Sequence, residues 1–268
     1  MVYSCSVDSY PELELAFEQK GFAVARNLIP RDLATSLLEL SRQDHTLKTN
    51  AHAVLDASGL ESRLTLWYAP GDDPFGRLSC CRELVSRMSA LLGGRASFFH
   101  AKLMQKQPRV GGKWEWHQDY GYWYRDGFLS PDMGSCFVAL EPATLENGCM
   151  QVIPGSHRYG RLDHGAAGGQ LGADPKRVQS LAERLGVEAC LLDAGDALFF
   201  HANLLHMSDA NRSAHSRLGL ITSFFREDNE SIVDDDRYRN KRYSEYGLNE
   251  VRLGGALSEE LPFLVRTS

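Results

Sequence analysis

The chain has 268 residues, of which 43% are hydrophobic and 24% charged, so it is long and apolar enough to bury a sizeable core. Its formal net charge of −6 argues against a general nucleic-acid or anionic-membrane surface, because both of those partners are polyanions. The N-terminus has no basic region followed by an apolar run, and no stretch approaches the roughly 20 apolar residues that span a bilayer. We therefore expect a small-molecule partner and no membrane partner.

The six cysteines form neither a CxxC pair nor a zinc-finger spacing. We interpret them as scattered core thiols of a reduced, cytoplasmic protein, with Cys80 and Cys81 lying together in a predicted helix. The sequence leaves open whether the chain is a monomer or a homodimer.

The predicted elements are helical first and β-rich afterwards. Periodicity indicates helices over residues 11–20, 30–42 and 77–92, with a short strand at 22–25. Short strands are predicted over 97–105, 135–141, 150–153, 188–192, 197–201 and 218–225, with a helix inserted over 175–184. The tail at 234–246 is expected to pack on the surface as a helix or ordered loop. We predict one domain over 1–268: a helical part over about 1–95, a β-rich sandwich or barrel over about 96–226, and a tail over 227–268.

The first chemical signal is His117-Gln118-Asp119. Residues i and i+2 of an extended segment point to the same side, so this imidazole and carboxylate are able to reach one metal ion. The pattern also occurs by chance as an ordinary solvated pair.

The second signal runs from Gly195-Asp196 through an apolar strand to His206, and then through a polar loop to Arg217. Two histidines and one carboxylate form the facial ligand set of non-haem iron oxygenases, which leaves three positions for a chelating 2-oxo acid and O₂. Arg217 is suited to anchor the distal carboxylate of 2-oxoglutarate through a bidentate pair, and Ser208 is able to add a hydroxyl donor. Taken singly, each of these last two residues also fits an ordinary strand end or turn.

Taken together, these pieces resemble the phytanoyl-CoA dioxygenase family, which includes the ectoine hydroxylases. The resemblance covers roughly residues 15–226. The matching pieces, in order, are Trp116-His117-Gln118-Asp119, the stretch Leu145-Glu146-Asn147-Gly148-Cys149-Met150-Gln151-Val152-Ile153-Pro154-Gly155-Ser156-His157, Gly195-Asp196, His206-x-Ser208, Asn211 and Arg217.

The resemblance implies a mainly β fold with flanking helices. Specifically, it implies a double-stranded β-helix (a cupin-like jelly roll) with the metal at its open end and N-terminal helices packed outside. It further implies Fe(II) held by His117, Asp119 and His206, with 2-oxoglutarate and O₂ as co-substrates. Lys106 corresponds to a lysine of ectoine hydroxylases, and either contacts co-substrate or is a solvated strand-end charge.

Trp114 and Cys136 map to the walls of the expected co-substrate pocket, or else serve ordinary core packing. His157, although it follows Pro-Gly-Ser, is expected to hydrogen-bond locally rather than to bind metal. His201 is excluded because it is expected on the same strand as His206, facing the opposite side.

The substrate is less defined than the reaction. Tyr122 and Trp123 suggest an aromatic pocket for a small cation or zwitterion, or a lid whose rings only pack. Lys102 and Arg125 are instead suited to hold an anionic group. We expect hydroxylation of a small polar or zwitterionic metabolite such as an amino acid derivative, a compatible solute or an aminoalkylphosphonate.

Four alternatives remain: a non-catalytic sensor of metal and 2-oxo acid, a hydroxylase of a larger natural-product or acyl substrate, a halogenase, and a zinc hydrolase. Asp119 disfavours the halogenase, because that chemistry replaces the metal carboxylate by a small residue.

Overall fold

The computed structural model describes residues 8–167, 170–240 and 243–257, so Cys5 and the N-terminal signal-peptide prediction lie outside the described residues. The first predicted elements are confirmed: α1 (Pro11–Lys20), β1 (Phe22–Ala25) and α2 (Arg31–Gln43) are present. Gly21 ends α1 in the left-handed conformation at φ 81°, which only glycine adopts without a steric penalty.

The first third is less helical than predicted. After the short helix α3 (His45–Thr49) come two paired strands, β2 (His52–Leu55) and β3 (Glu61–Trp67). The turn between them has a clear local cause, because the Asp56 carboxylate accepts the backbone N–H groups of Ser58 and Leu60 and Gly59 has φ 79°.

The helix predicted over 77–92 is two helices, α4 (Pro74–Ser79) and α5 (Arg82–Leu91). Cys80 and Cys81 form the break between them rather than lying within a helix. Cys81 makes an isolated bridge with Tyr246, and Arg82 N–H donates to the Tyr246 carbonyl. This tertiary contact with the tail interrupts a stretch whose local pattern favours a continuous helix.

Seven of the remaining elements agree with predicted ones to within a few residues: β4 (Ala96–Lys106), β6 (Met133–Ala139), β7 (Met150–Val152), α7 (Pro175–Leu185), β10 (Glu188–Cys190), β11 (Ala197–His201) and β13 (Arg217–Arg226). No strand or helix was predicted for β5 (Trp114–His117), α6 (Asp119–Trp123), β8 (His164–Ala167), β9 (Gln170–Ala173), β12 (His206–Ser208) and α8 (Leu248–Val251). In the tail, residues Asp236–Tyr238 form one 3₁₀ turn, and the Tyr238 side chain is buried.

Two antiparallel sheets face each other. The larger has the order β1-β11-β6-β13-β4-β3-β2, and the smaller has the order β10-β7-β12-β5. The predicted jelly roll is confirmed, with the addition that β1, β2 and β3, from the part expected to be helical, extend the larger sheet.

Two apolar clusters explain the layering. Side chains of α1, α2, α4 and α5, such as Phe17, Leu37 and Met88, pack on the outer face of the larger sheet. Phe137 and Val152 belong to a second cluster that fills the space between the sheets. Burying each large apolar side chain contributes about 1.5–3 kcal/mol, so the helices and the small sheet hold the central strands from both faces.

Among the described residues, no helix has both the length and the apolar composition that crossing a bilayer would require.

Candidate metal centre

Two histidines meet because their strands pair. His117 is the last residue of β5 and His206 is the first of β12, and the two residues are direct partners in the antiparallel register. Directly opposed side chains on one face of a sheet lie within contact distance, and the two imidazole centroids are 4.0 Å apart. The small sheet therefore brings together two residues that are far apart in the chain.

Asp119 lies beside the two imidazoles, but not in the extended segment that was predicted. It is the first residue of α6, not a strand residue, so the chain turns immediately after His117. Its Oδ1 lies 3.9 Å from His117 Nε2 and 4.0 Å from His206 Nε2, both too long for hydrogen bonds. Its Oδ2 accepts a hydrogen bond from Ser135 Oγ at 3.0 Å, which fixes the carboxylate orientation. Ser135 carries no sequence signal that marks this role.

The hydrogen bonds of the two imidazoles define their tautomers. His117 Nδ1 donates to the Glu115 carbonyl at 2.7 Å, and His206 Nδ1 donates to the Leu204 carbonyl at 3.0 Å. Because a carbonyl only accepts, each Nδ1 carries the hydrogen and each Nε2 presents a lone pair.

Burial lowers the pKa of both histidines, that of His117 further through the neighbouring His206, so both rings are held in the neutral form. The three donor atoms are buried and lie within 4.8 Å of one another. Two neutral imidazoles and one carboxylate suit a divalent iron-type cation, so the residues present fit such an ion.

His117 and His206 line one cleft between the two sheets, which has a cavity volume of about 40 Å³. Its apolar wall is formed by Met104, Trp114, Phe137, Met150, Phe200, Met207 and Ile221. Its polar groups are His117, His206, Ser208, Lys102 and Arg217. We call it the inner cleft.

Arg217 is a buried guanidinium with few partners. Its Nη1 donates to the Gly148 carbonyl at 2.6 Å, while its Nε is buried without a hydrogen-bond partner. No carboxylate within the described ranges forms an ion pair with it, and burial lowers its pKa to about 10. A buried, unpaired cation at the cleft wall fits an anionic ligand such as the distal carboxylate of 2-oxoglutarate.

The glycine of the Asn147-Gly148 pair has a definite structural role. Gly148 has φ 80°, and a Cβ atom there would lie 2.2 Å from the Asp209 carbonyl oxygen. The Asn147 side chain accepts from Thr144 N–H and donates to the Pro142 carbonyl, which fixes the turn that precedes the glycine. The loop thereby aims the Gly148 carbonyl at Arg217.

Lys106 is not a solvated strand-end charge. It is opposite Arg217 in the β4–β13 register, is fully buried, and donates to the carbonyls of Ser208 and Asp209 at 3.2 and 2.5 Å. Burial, followed by the nearby Arg217 charge, lowers its pKa to about 6. Its Nζ group braces the chain just after β12, beside the inner cleft.

One of the two predicted wall residues is misplaced. Trp114 lines the inner cleft, but Cys136 faces the other side of β6 and packs in the cluster beneath the helices. Phe137, the next residue, occupies the cleft wall instead. Both faces of β6 are buried, so its sequence gives no alternation that would show which residue points inward.

The four residues predicted to contact substrate do not lie together in the structure. Lys102 lines the inner cleft, and Tyr122 lies with its ring 5.7 Å from the His117 ring. Trp123 is instead buried against Phe99 at 5.5 Å, away from the cleft. Arg125 is exposed and donates to the His164 carbonyl at 3.3 Å. Helical geometry separates Tyr122 from Trp123, because successive residues of α6 point in different directions.

Two other histidines lie away from the centre. His201 ends β11, in the larger sheet, so the premise that it shares a strand with His206 was wrong although its exclusion stands. Its ring packs against Phe17 and His157. His157 Nε2 hydrogen-bonds the Glu18 carbonyl at 3.2 Å, a contact with α1 rather than a local one.

Comparison with known sequences gives one family. Residues 17–219 match the family described as phytanoyl-CoA dioxygenase (PhyH). The L-proline trans-4-hydroxylase of Streptomyces griseoviridis is 32% identical over 174 residues, which cover 59% of this chain and 65% of that protein. The ectoine dioxygenase of Stutzerimonas stutzeri strain A1501 is 24% identical over 247 residues, which cover 85% of this chain and 82% of that protein.

Solved structures share the fold. EctD from S. alaskensis with 2-oxoglutarate and 5-hydroxyectoine superposes with a TM-score of 0.70 at 22% identity, covering 92% of this chain and 88% of that one. The 2-oxoglutarate-dependent carbocyclase SnoK from nogalamycin biosynthesis superposes with a TM-score of 0.68 at 17% identity, covering 88% and 95%. At these identities the likeness establishes the architecture alone.

Proposed function

This chain belongs to the phytanoyl-CoA dioxygenase family, and from that premise we propose that it is an iron(II)- and 2-oxoglutarate-dependent dioxygenase. Its reaction is the hydroxylation of an unactivated C–H bond in a small polar or zwitterionic metabolite, with release of succinate and CO₂.

One observation carries the proposal. The two histidines of a buried His-Asp-His donor set line the inner cleft, and another wall holds a buried guanidinium that has no carboxylate partner among the described residues. His117, Asp119 and His206 are the proposed iron ligands, and Arg217 with Ser208 is the proposed anchor of the co-substrate. A site that only bound metal would not need the buried Arg217 guanidinium.

Bound iron, 2-oxoglutarate and O₂ would supply the oxidising power, and the chain's own residues would position and shield it. The Glu115 and Leu204 carbonyls hold the imidazoles in the ligating tautomer, and Ser135 Oγ holds the carboxylate. The apolar rings of Phe137 and Phe200 line the cleft and limit access of water.

The substrate class rests on the relatives and on charge. The relatives named above are a proline hydroxylase and an ectoine dioxygenase, both of which act on small zwitterions. Lys102 lines the inner cleft, and its ammonium makes no hydrogen bond or ion pair with any described residue. An amino acid derivative, a compatible solute or an aminoalkylphosphonate each offers the anionic group that such a cation would hold.

The deciding experiment measures succinate formed from 2-oxoglutarate by iron-loaded protein, with and without a panel of such metabolites. Asp119→Ala and His206→Ala are expected to abolish turnover and bound iron, while His215→Ala, in an exposed loop, keeps both. Iron bound by the unaltered protein without any succinate across the panel would favour a sensor over an enzyme. Activity with zinc in place of iron, independent of O₂, would favour a hydrolase.

A cytoplasmic location belongs to the same proposal. It is supported by the five described cysteines, all buried and none in a disulfide.

A further inference from the structure

A second cleft lies beside the metal centre. It lies between the β2 edge of the larger sheet and the β8–β9 hairpin and has a volume of about 470 Å³. We call it the outer cleft, and its wall includes Val54, Leu55, Trp114, Tyr122, Gln170 and Leu171.

The outer cleft adjoins the proposed iron ligands through two shared rings. Trp114 lines both clefts, and its ring centroid is 6.2 Å from that of His117. Tyr122 flanks His117 at 5.7 Å and also lines the outer cleft. A molecule seated there therefore contacts the same two aromatic rings that border the metal centre.

The polar groups of the outer cleft are already used within the protein. Tyr122 donates its hydroxyl hydrogen to the Leu171 carbonyl at 2.5 Å. The Gln170 amide donates to the carbonyls of Leu55 and Lys113 and accepts from Glu115 N–H. About half of the surface that the outer cleft exposes is carbon, from aliphatic side chains and aromatic faces, and no described residue of its wall carries a charged side chain.

Leu55 contributes solvent-exposed carbon surface to the outer cleft. The residue is 55% exposed and lies in the wall of the outer cleft. Exposed apolar side chains that gather in a cleft are typical of ligand contacts.

We propose that the outer cleft binds the apolar part of the substrate, so that the preferred substrates are carboxylates with an aliphatic or aromatic body rather than compact, fully hydrophilic zwitterions. The Lys102 ammonium in the inner cleft holds the anionic group, and the body extends past Trp114 and Tyr122. This inference rests on the proposed function and narrows its substrate class.

The test is calorimetric binding of a homologous series of 2-amino acids to the iron- and 2-oxoglutarate-loaded protein without O₂. The series is alanine, norvaline, norleucine and 2-aminooctanoate. Each added methylene buried in the cleft contributes about 0.8 kcal/mol, so affinity is expected to rise about fourfold per methylene. An affinity that stays flat or falls along the series would overturn the proposal, as would no binding by any member.

Leu55→Asp is expected to remove most of the chain-length dependence, because the charge would face the apolar chain. The matched control is Leu15→Asp, at a leucine that is 54% exposed on α1. Ala53→Asp, at an exposed position in the same wall, serves if Leu55→Asp fails to fold. Equal chain-length dependence in a cleft variant and in the control would contradict the assignment.

A separate readout keeps this inference distinct from the proposed function. Slow succinate formation without any amino acid reports the iron and co-substrate site alone. Succinate formation with a flat binding series would overturn only the outer-cleft proposal, whereas failure to form succinate under any condition would overturn the proposed function.

Discussion

Replacing Arg217 by methionine separates a co-substrate anchor from a structural residue. The guanidinium is buried, makes one hydrogen bond to the Gly148 carbonyl, and has no carboxylate partner among the residues described. Without 2-oxoglutarate its removal relieves the cost of a buried charge but leaves one carbonyl unsatisfied. These effects oppose each other, so the free energy of unfolding of the ligand-free protein should change little.

The effect on 2-oxoglutarate binding should be large. Each hydrogen bond to a charged group contributes about 1.5–3 kcal/mol, so loss of a two-bond guanidinium–carboxylate pair costs about 3–6 kcal/mol. That corresponds to a dissociation constant raised about 10²- to 10⁴-fold. Iron binding should be retained, because Arg217 contacts none of the proposed ligands.

Thermal unfolding in the presence of iron measures both consequences. At a 2-oxoglutarate concentration of about 100 times the original dissociation constant, the ligand stabilises the original protein by about 2.7 kcal/mol. A dissociation constant raised about 100-fold reduces this to about 0.4 kcal/mol, which nearly abolishes the shift in Tm.

The matched control is Arg226→Met, at the opposite end of β13, where the side chain pairs with Asp132 and Asp228 on the surface. This control should keep the full shift. A full 2-oxoglutarate shift in Arg217→Met itself would refute the assignment of the anchor.

Three further predictions concern residues around the site. Ser135→Ala removes the hydrogen bond that Ser135 Oγ donates to Asp119 Oδ2. Equilibrium dialysis should then show iron affinity that is about 10- to 100-fold weaker, whereas the control Ser130→Ala should keep the original affinity. Gly148→Ala introduces both a positive-φ penalty and a clash with the Asp209 carbonyl, so denaturant titration should show a loss of at least about 1–2 kcal/mol; unchanged stability would contradict this. Burial lowers the pKa of Lys106 from 10.5 to about 6, so between about pH 6 and pH 10.5 the unfolded chain binds one more proton than the folded protein. The free energy of unfolding should therefore rise with pH across that range, and denaturant titration of Lys106→Met should show a smaller rise.

The sequence by itself determined the chemistry and most of the strands. The ligand types, their order and Arg217 follow from residue identity, because only imidazole, carboxylate and guanidinium supply those functions. Arg217 opens β13, an apolar run that local pattern reveals, whereas β5 and β12, which carry the two histidines, are too short for a pattern to show. Strands β2 and β3 were missed, although the Asp56 to Gly59 turn and the alternation in residues 61–67 indicate a hairpin.

Only the tertiary structure decided which side chains meet. His117 and His206 are opposed because β5 pairs with β12 in one particular register, and a shift by one residue would turn one ring away. Cys136 was expected in the cleft wall, which Phe137 occupies instead; β6 is buried on both faces, so its pattern contains no information on direction. Trp123 packs in a core cluster and Tyr122 borders the metal centre because α6 begins at Asp119. Residue type sets what a side chain is able to do, whereas register and packing set where it acts, and these depend on contacts that are distant in the chain.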